Sequence, residues 1–564
     1  MNDCRNIPEA HRRQAERLGP QVAVRYKRGG HFQDLTWSAY RADVLACAAA
    51  LAAAGVQPGD RVGLLGENRV EWMIADLGIL AAGGVTVSTH AALSARQVRF
   101  EMHHAGARRL FVSTAAQCDK VRQVRDELPD LEGVVAFDAA AAGAGVESWE
   151  DFLRRGRQSL ARHQTELARR EAALGPAELA TIMYTSGTTG NPKGVMLSHG
   201  NILSNVAQCL EADAIRPDDV VLSWLPLSHI YARTVDFYQP VVAGTQVCLS
   251  ESVETVVADM AEVHPTHISC VPRFYEKILA SYGSPDPAVT SQRLRDLFGP
   301  RIRFLGAGGA KLPSSIEQTL LAAKLPILPG YGLTESAPVL SFNRTYFSKP
   351  GTAGKVLPGV EIKIAPDGEV LARGPNIMLG YWKNPEATAE TIRDGWLHTG
   401  DLGTLDADGF LTIAGRKKEL LVLSNGKKVL PTQIEGLLVA DDCIDQAVVH
   451  GEGRHFLTAL IVPHWDNLRR AIAHCGLRIA DSMSEDDLAR HPAVRDELQK
   501  RVTSRLADVA GYEQVKRFLV LPRPFTVAAG ELTVSLKTRR GVIFAKYHAE
   551  LEALYREGAS QPCQ

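Results

Sequence analysis

The chain has no Cys-x-x-Cys pair, no apolar run of bilayer length and almost no net charge. Each absence closes a class. The nine cysteines, at positions 4, 47, 118, 209, 248, 270, 443, 475 and 563, are scattered. That spacing offers neither a zinc cage nor a disulfide framework and fits a reducing cytoplasm. The longest apolar stretch, Val44 to Val56, is alanine-rich and too short to span a membrane, so it reads as a buried helix. A formal net charge of −1 gives nucleic acid no general attraction. The amino terminus, Met1-Asn-Asp-Cys-Arg-Asn6, is polar and lacks the apolar segment of a signal peptide. A Walker loop is missing too: Lys193 follows Pro192 and precedes Gly194, where that motif needs Gly before the lysine and Ser or Thr after it.

What is present points to a soluble protein of several domains. The 564 residues exceed what one core serves, and 45% hydrophobic with 23% charged residues is ordinary globular composition. Residues 1–35 are polar and basic and carry little chemical signal. From Trp37 onward helices and strands alternate: helix 38–54, strand 61–65, helix 69–82, strand 85–87, helix 94–105, strand 109–112. Such alternation predicts parallel sheets with helices on both faces and ligand loops at the strands' carboxyl ends. The Ala/Gly tract 139–145 reads as a surface loop, and 147–173 as a charged helix. A second α/β unit is expected from 176 to about 345. Turn signals at Pro366-Asp-Gly368 and Asp406-Ala-Asp-Gly409 predict a small antiparallel β subdomain over about 350–414. The charged segment Gly415-Arg-Lys-Lys-Glu419 marks the expected boundary between an N-terminal domain, 1–415, and a C-terminal α+β domain, 416–564. In the latter, Val494, Leu498, Val502 and Leu506 form one face of a helix, which reads as core.

One segment organises the chemistry. Tyr184-Thr-Ser-Gly-Thr-Thr-Gly-Asn-Pro-Lys-Gly194 follows an apolar strand, Leu179 to Met183. Glycines let successive N–H groups converge on an anion. Ser186, Thr188 and Thr189 add hydroxyls, and Lys193 adds a point charge suited to phosphate. Further along, Gly330-Tyr-Gly-Leu-Thr-Glu335 offers Glu335 as a hard oxygen ligand for Mg²⁺, Thr334 as a hydroxyl for phosphate and Tyr331 as a face for a purine. His229 follows Leu225-Pro-Leu-Ser228; a lone histidine is more often a partly buried structural residue. His264-Pro-Thr-His267 lacks further ligands and reads as structural. Asp401, which closes Asp394-Gly-Trp-Leu-His-Thr-Gly-Asp401, can accept two ribose hydroxyls or cap a turn.

These segments together resemble the motifs of the adenylate-forming, AMP-binding superfamily. That superfamily includes acyl-CoA synthetases, luciferases and peptide-synthetase adenylation domains. The resemblance runs from about Trp37 to Lys546. Leu225-Pro-Leu-Ser-His-Ile-Tyr-Ala-Arg233, Val271-Pro-Arg-Phe-Tyr-Glu-Lys277 and Glu531-Leu-Thr-Val-Ser-Leu-Lys537 are most like the long-chain fatty acyl-CoA synthetase branch. It implies an α/β fold: two doubly wound subdomains and a small β subdomain in a large N-terminal domain, then a smaller mobile C-terminal domain hinged at Lys418.

The resemblance also assigns roles. Thr185, Ser186, Gly187, Thr188, Thr189, Gly190 and Lys193 hold the phosphates of ATP. Thr334 touches the α-phosphate, and Glu335 with Thr188 holds Mg²⁺. Gly308, Gly309, Ala310, Tyr331 and Gly332 pass beside adenine and the acyl group. Asp401 and Arg416 bind ribose, His229 lines the carboxylate pocket, Lys537 bridges the reacting carboxylate and α-phosphate, and Gly426 meets the pantetheine of coenzyme A. The implied reaction converts a fatty acid, ATP and coenzyme A to acyl-CoA, AMP and pyrophosphate through an acyl-adenylate. A fatty acyl-AMP ligase that loads a carrier protein is the alternative. A luciferase-like oxygenase finds no support, and intact Thr334, Glu335, Asp401 and Lys537 speak against an inactive nucleotide-binding protein. The implied location is the cytoplasm; peripheral contact with the inner face of the membrane and a homodimer stay open.

Overall fold

Strand Arg61–Gly66 sits where one sheet changes direction: it pairs in parallel with Val85–His90 on one side and with Ala107–Val112 on the other. Its carboxyl end is therefore a topological switch point, the place where such sheets open a crevice. In this computed structural model the described residues are 4–143, 145–185, 192–212, 215–474, 483–526, 529–533 and 538–556. Among them the first sheet has eight strands, in the order Gly380–Tyr381, Lys193–Ser198, Leu179–Thr185, Val85–His90, Arg61–Gly66, Ala107–Val112, Gly133–Ala136 and Val146–Ser148. Only the pairings of Lys193–Ser198 within it are antiparallel.

The strand before the phosphate loop thus belongs to the first sheet and not to the second unit expected from 176. Leu179–Thr185 lies parallel to Val85–His90, with Thr86 opposite Thr181, and turns back as an antiparallel hairpin into Lys193–Ser198. Proximity in sequence to the second unit concealed this pairing across some ninety residues.

The second sheet has nine strands, from Lys355–Val356 through Ile327–Gly332, Phe304–Ala307, His267–Cys270 and Val220–Ser223 to Gln246–Leu249 and the N-terminal hairpin. That hairpin, Val22–Arg28 with His31–Thr36, gives a structural role to a stretch that carries little chemical signal. Val24 pairs in parallel with Val247, so the chain's start completes the sheet of its middle. Helix Ile7–Leu18 precedes it, capped by the Asn6 side chain on Glu9 N. The alanine-rich helix Trp37–Ala53 buries Ala46 through Leu51 completely. Small side chains there let the 25-residue helix Trp149–Ala173 pack close against it.

Strands within 361–416 form a further five-stranded sheet. Residues 366–370, 400–404 and 413–564 group as a second compact unit, the remainder as the first. Within the second unit Ile444–His450 pairs antiparallel with Leu457–Pro463, which pairs in parallel with Val515–Val520. Val494, Leu498, Val502 and Leu506 are buried there beside Leu438, Ile461 and Phe518, the core face expected of that helix. Among the described residues no helix is long and apolar enough to cross a membrane.

Candidate active site

In the first unit, the hairpin Leu179–Thr185/Lys193–Ser198 presents the phosphate loop, with Thr185 opposite Lys193. Ser186, Gly187, Thr188, Thr189 and Gly190 lie outside the described residues. The two arms are well anchored. Buried Tyr184 shares a 2.8 Å hydrogen bond with His104 Nδ1. Burial holds its phenol above the ordinary range, so it stays protonated. At the other arm the Lys193 ammonium stands 4.9 Å from the centre of the Tyr381 ring.

Tyr381 connects that arm to the acid expected to hold the metal. Its hydroxyl donates to Glu335 Oε1 at 2.9 Å. Glu335 sits in the one-turn helix Thr334–Ser336 after strand Ile327–Gly332. Its backbone carbonyl accepts from Met378 N at 2.9 Å. Asn376 Nδ2 donates to the neighbouring Ser336 carbonyl at 2.8 Å. One carboxylate oxygen is therefore oriented by Tyr381 on a pinned backbone, and Oε2 has no protein hydrogen bond among the described residues. A half-buried carboxylate with one oxygen oriented and one available fits the hard-oxygen chemistry of Mg²⁺. Gly332 is required by packing: a Cβ there would lie 1.9 Å from the Pro338 carbonyl. Tyr331, half-buried, pairs with Ser341 on the adjacent strand.

Gly308 closes strand Phe304–Ala307, and a Cβ on it would lie 2.9 Å from the Tyr231 ring. Gly309 and Ala310 are exposed beyond it. Tyr231 is two residues after His229, and its N–H donates to His229 Nδ1 at 3.2 Å. The His229 and Gly308 segments therefore meet through Tyr231. His229 also faces His90, ring centres 6.2 Å apart. His267 proves structural: it is buried in its strand beside Ser269 Oγ, 3.1 Å from Nε2, and burial pushes its pKa down to about 4.

In the second unit the structure joins Asp401 and Arg416. Asp401 is 4% exposed, on strand Trp396–Leu405, and its Oδ1 lies 2.8 Å from Arg416 Nε. Lys417 beside it pairs with Asp367 at 2.6 Å and Glu369 at 2.9 Å. Lys418 is exposed in the turn Lys417–Glu419, and Gly426 is exposed at the turn before strand Lys428–Val429. Lys537 lies outside the described residues, but its flanks are held. Glu531 pairs with Lys546 at 2.7 Å, and Arg540 makes a two-bond pair with Glu435 at 2.5 and 2.6 Å.

Residues 11–382 match the family model described as AMP-binding enzyme, and 418–559 match that of the AMP-binding enzyme C-terminal domain. The chain belongs to the AMP-binding enzyme family. Within it, one relative is the long-chain-fatty-acid--CoA ligase FadD15 of Mycobacterium tuberculosis, 32% identical over 96% of each chain. Another is the human long-chain-fatty-acid--CoA ligase ACSBG1, 28% identical over 96% of this chain and 84% of that protein. Among solved structures, the anthranilate CoA ligase AuaEII in complex with anthranoyl-AMP superposes with a TM-score of 0.78. It is 22% identical, over 97% of this chain and 98% of that one, which identifies the fold as that of adenylate-forming enzymes.

Three side chains of this AMP-binding enzyme escaped the sequence reading: Tyr381, Asn68 and His90. Each acts on a residue far away in sequence, Tyr381 on Glu335 and the other two on the His229 segment. No local motif marks them. Tyr381 is also a buried member of the hydrophobic core, on a two-residue strand paired against Met196 and Val195, so the sequence gives it no mark beyond that of a core aromatic.

Proposed function

We propose that this enzyme activates a fatty acid, with a long chain as the substrate class, to an acyl-adenylate and then to acyl-CoA. The observation that carries the reading is the full-length similarity to FadD15, a ligase named for long-chain fatty acids. The side chains present agree with it: Glu335 oriented by Tyr381, Lys193 on the phosphate hairpin, and Asp401 paired with Arg416.

In the first step the fatty carboxylate attacks the α-phosphorus of ATP and pyrophosphate leaves. Such transfer depends mostly on positioning and charge stabilisation. The loop 185–190 and Lys193 hold the departing phosphates. Thr334 donates to the α-phosphate, and Asp401 with Arg416 holds the ribose. Glu335 and Thr188 would hold Mg²⁺, which supplies neutralisation of phosphate charge. Tyr331, Gly332, Gly308, Gly309 and Ala310 line adenine and the acyl group, and His229 positions the carboxylate. Lys537 stabilises charge as it moves between carboxylate and phosphate. In the second step the thiol of coenzyme A attacks the acyl carbonyl and AMP leaves. Gly426 belongs to the pantetheine path. The C-terminal domain, 416–564, turns about Lys418 between the steps. Peripheral membrane contact follows from the substrate, since long-chain acids partition into bilayers.

The test is pyrophosphate release across carboxylic acids of increasing chain length, with and without coenzyme A. Acid-dependent release and a thioester formed only with coenzyme A are expected. Release with no thioester would redirect the reading to an acyl-AMP ligase that serves a carrier protein.

A further inference from the structure

From the loop at the switch point of the first sheet, one side chain reaches across to the segment that follows a strand of the second sheet. Asn68, in the loop after strand Arg61–Gly66, donates from Nδ2 to the Leu225 carbonyl at 2.7 Å. It accepts on Oδ1 from Leu227 N at 2.8 Å. One planar amide thus holds both strands of a backbone turn, a geometry that fixes position and orientation together. The turn is the one that leads into His229. One residue after Leu227, Ser228 Oγ bonds His90 Nδ1 at 2.7 Å, from the end of the neighbouring strand Val85–His90. Ser88 Oγ donates to the Ser228 carbonyl at 3.4 Å. All three holds come from carboxyl ends of first-sheet strands, and all end within four residues of His229.

We infer that Asn68 and His90 are positioning residues for the carboxylate pocket, acting through His229. This rests on the proposed function, which gives His229 the task of lining that pocket. The clamp grips backbone on the N-terminal side of His229, and the His90 ring also faces the His229 imidazole, ring centres 6.2 Å apart. The backbone entering His229 is thereby held from the first sheet. A misplacement of about 1 Å in such a site costs about a hundredfold in rate. A half-buried asparagine with both ends of its amide bonded to the backbone of one distant turn is well suited to prevent it.

The experiment is steady-state pyrophosphate release by the full chain, read separately for acid and ATP. In Asn68→Ala, kcat/KM for the acid falls about ten- to hundredfold while KM for ATP stays within about twofold and the variant remains folded at the assay temperature. His90→Leu shows the same split in weaker form. His90→Asn, which can replace the Nδ1 bond to Ser228, restores it. Equal losses for acid and ATP, or no loss in a folded variant, overturn the inference. If Asn68→Ala does not fold, the pair His90→Leu and His90→Asn decides alone, and failure of the Asn variant to rescue counts against. Wild-type enzyme without acid-dependent release would sink the function reading and this proposal with it; active wild type with unaffected variants would sink only the proposal.

Discussion

The Tyr381 hydroxyl is bonded to Glu335 at 2.9 Å while its ring lies under the Lys193 ammonium, so one side chain ties the acid of one strand end to the cation of another. The two polar partners belong to different sheets: Lys193 to the first, Glu335 to the turn after a strand of the second. Removing only the hydroxyl separates the two roles. Tyr381→Phe keeps the ring beneath Lys193 and frees Glu335 to rotate. Outer partners of metal ligands are worth about 10–100-fold in metal affinity. The Mg²⁺ concentration for half-maximal activity should rise about tenfold. Calorimetry should show weaker Mn²⁺-nucleotide binding at unchanged thermal stability. Identical metal dependence in the two proteins would remove Glu335 from the metal site or Tyr381 from its support.

Lys537 separates the half-reactions. If it stabilises charge between carboxylate and α-phosphate, Lys537→Ala should lower pyrophosphate release by about 10²–10³-fold. Thioester formation from supplied acyl-adenylate and coenzyme A should remain near the wild-type rate. Both rates are measurable on one preparation. Equal loss in both would refute the assignment.

What could be read from the chain and what could not divide by sequence distance. The loop 184–194 reads as a proposed anion site because its hydroxyls and glycines are contiguous. Strand Arg61–Gly66 and helix Trp37–Ala53 announce themselves by local composition, a short apolar run and an alanine-rich one. The N-terminal hairpin did not, because its partner, Gln246–Leu249, is over two hundred residues away and only that pairing makes Val22–Arg28 an interior strand. Asn68 looks like a loop residue until Leu225 and Leu227 are seen on either side of its amide. Glu335 was legible as a ligand type, whereas its orientation by Tyr381 was not.

Asp76 and Arg233 form an ion pair with both side chains fully buried. Tyr238 donates to Asp76 Oδ2 at 2.7 Å, and Arg233 donates to Thr181 Oγ1 at 2.9 Å. The Arg233 guanidinium also lies 5.4 Å from the Trp72 ring. The network joins the helix Val70–Ala81 to the segment after His229, so it holds the two sheets together rather than the substrate. Asp76→Ala should lower stability by about 3–5 kcal/mol, because it strands a buried guanidinium. Joint replacement by Asp76→Leu and Arg233→Met should lose less than Asp76→Ala alone. Urea unfolding compares the three. A double variant no better than the single would mean that the network carries more than charge balance.

Glu101 gives a pH test of the first sheet's packing. It is buried at the face of strand Val85–His90, where Thr89 Oγ1 donates to Oε2 at 2.8 Å. Burial pushes its pKa up to about 8, with the Thr89 bond opposing. The folded protein thus keeps this proton between pH about 5 and 8, while the unfolded chain loses it near the ordinary carboxyl value. Stability from this group is fully present below the unfolded pKa and is lost as pH rises towards 8. Glu101→Gln keeps an acceptor for Thr89 and never ionises. The variant should match the wild type near pH 5 and exceed it at pH 8 by on the order of 2–4 kcal/mol in urea unfolding. Asp236, buried and likewise raised to about 8, titrates in both proteins and cancels in the difference. A gap between wild type and variant that stays constant from pH 5 to 8 would mean that Glu101 is ionised in the folded state, and that Thr89 is not its only stabilising neighbour.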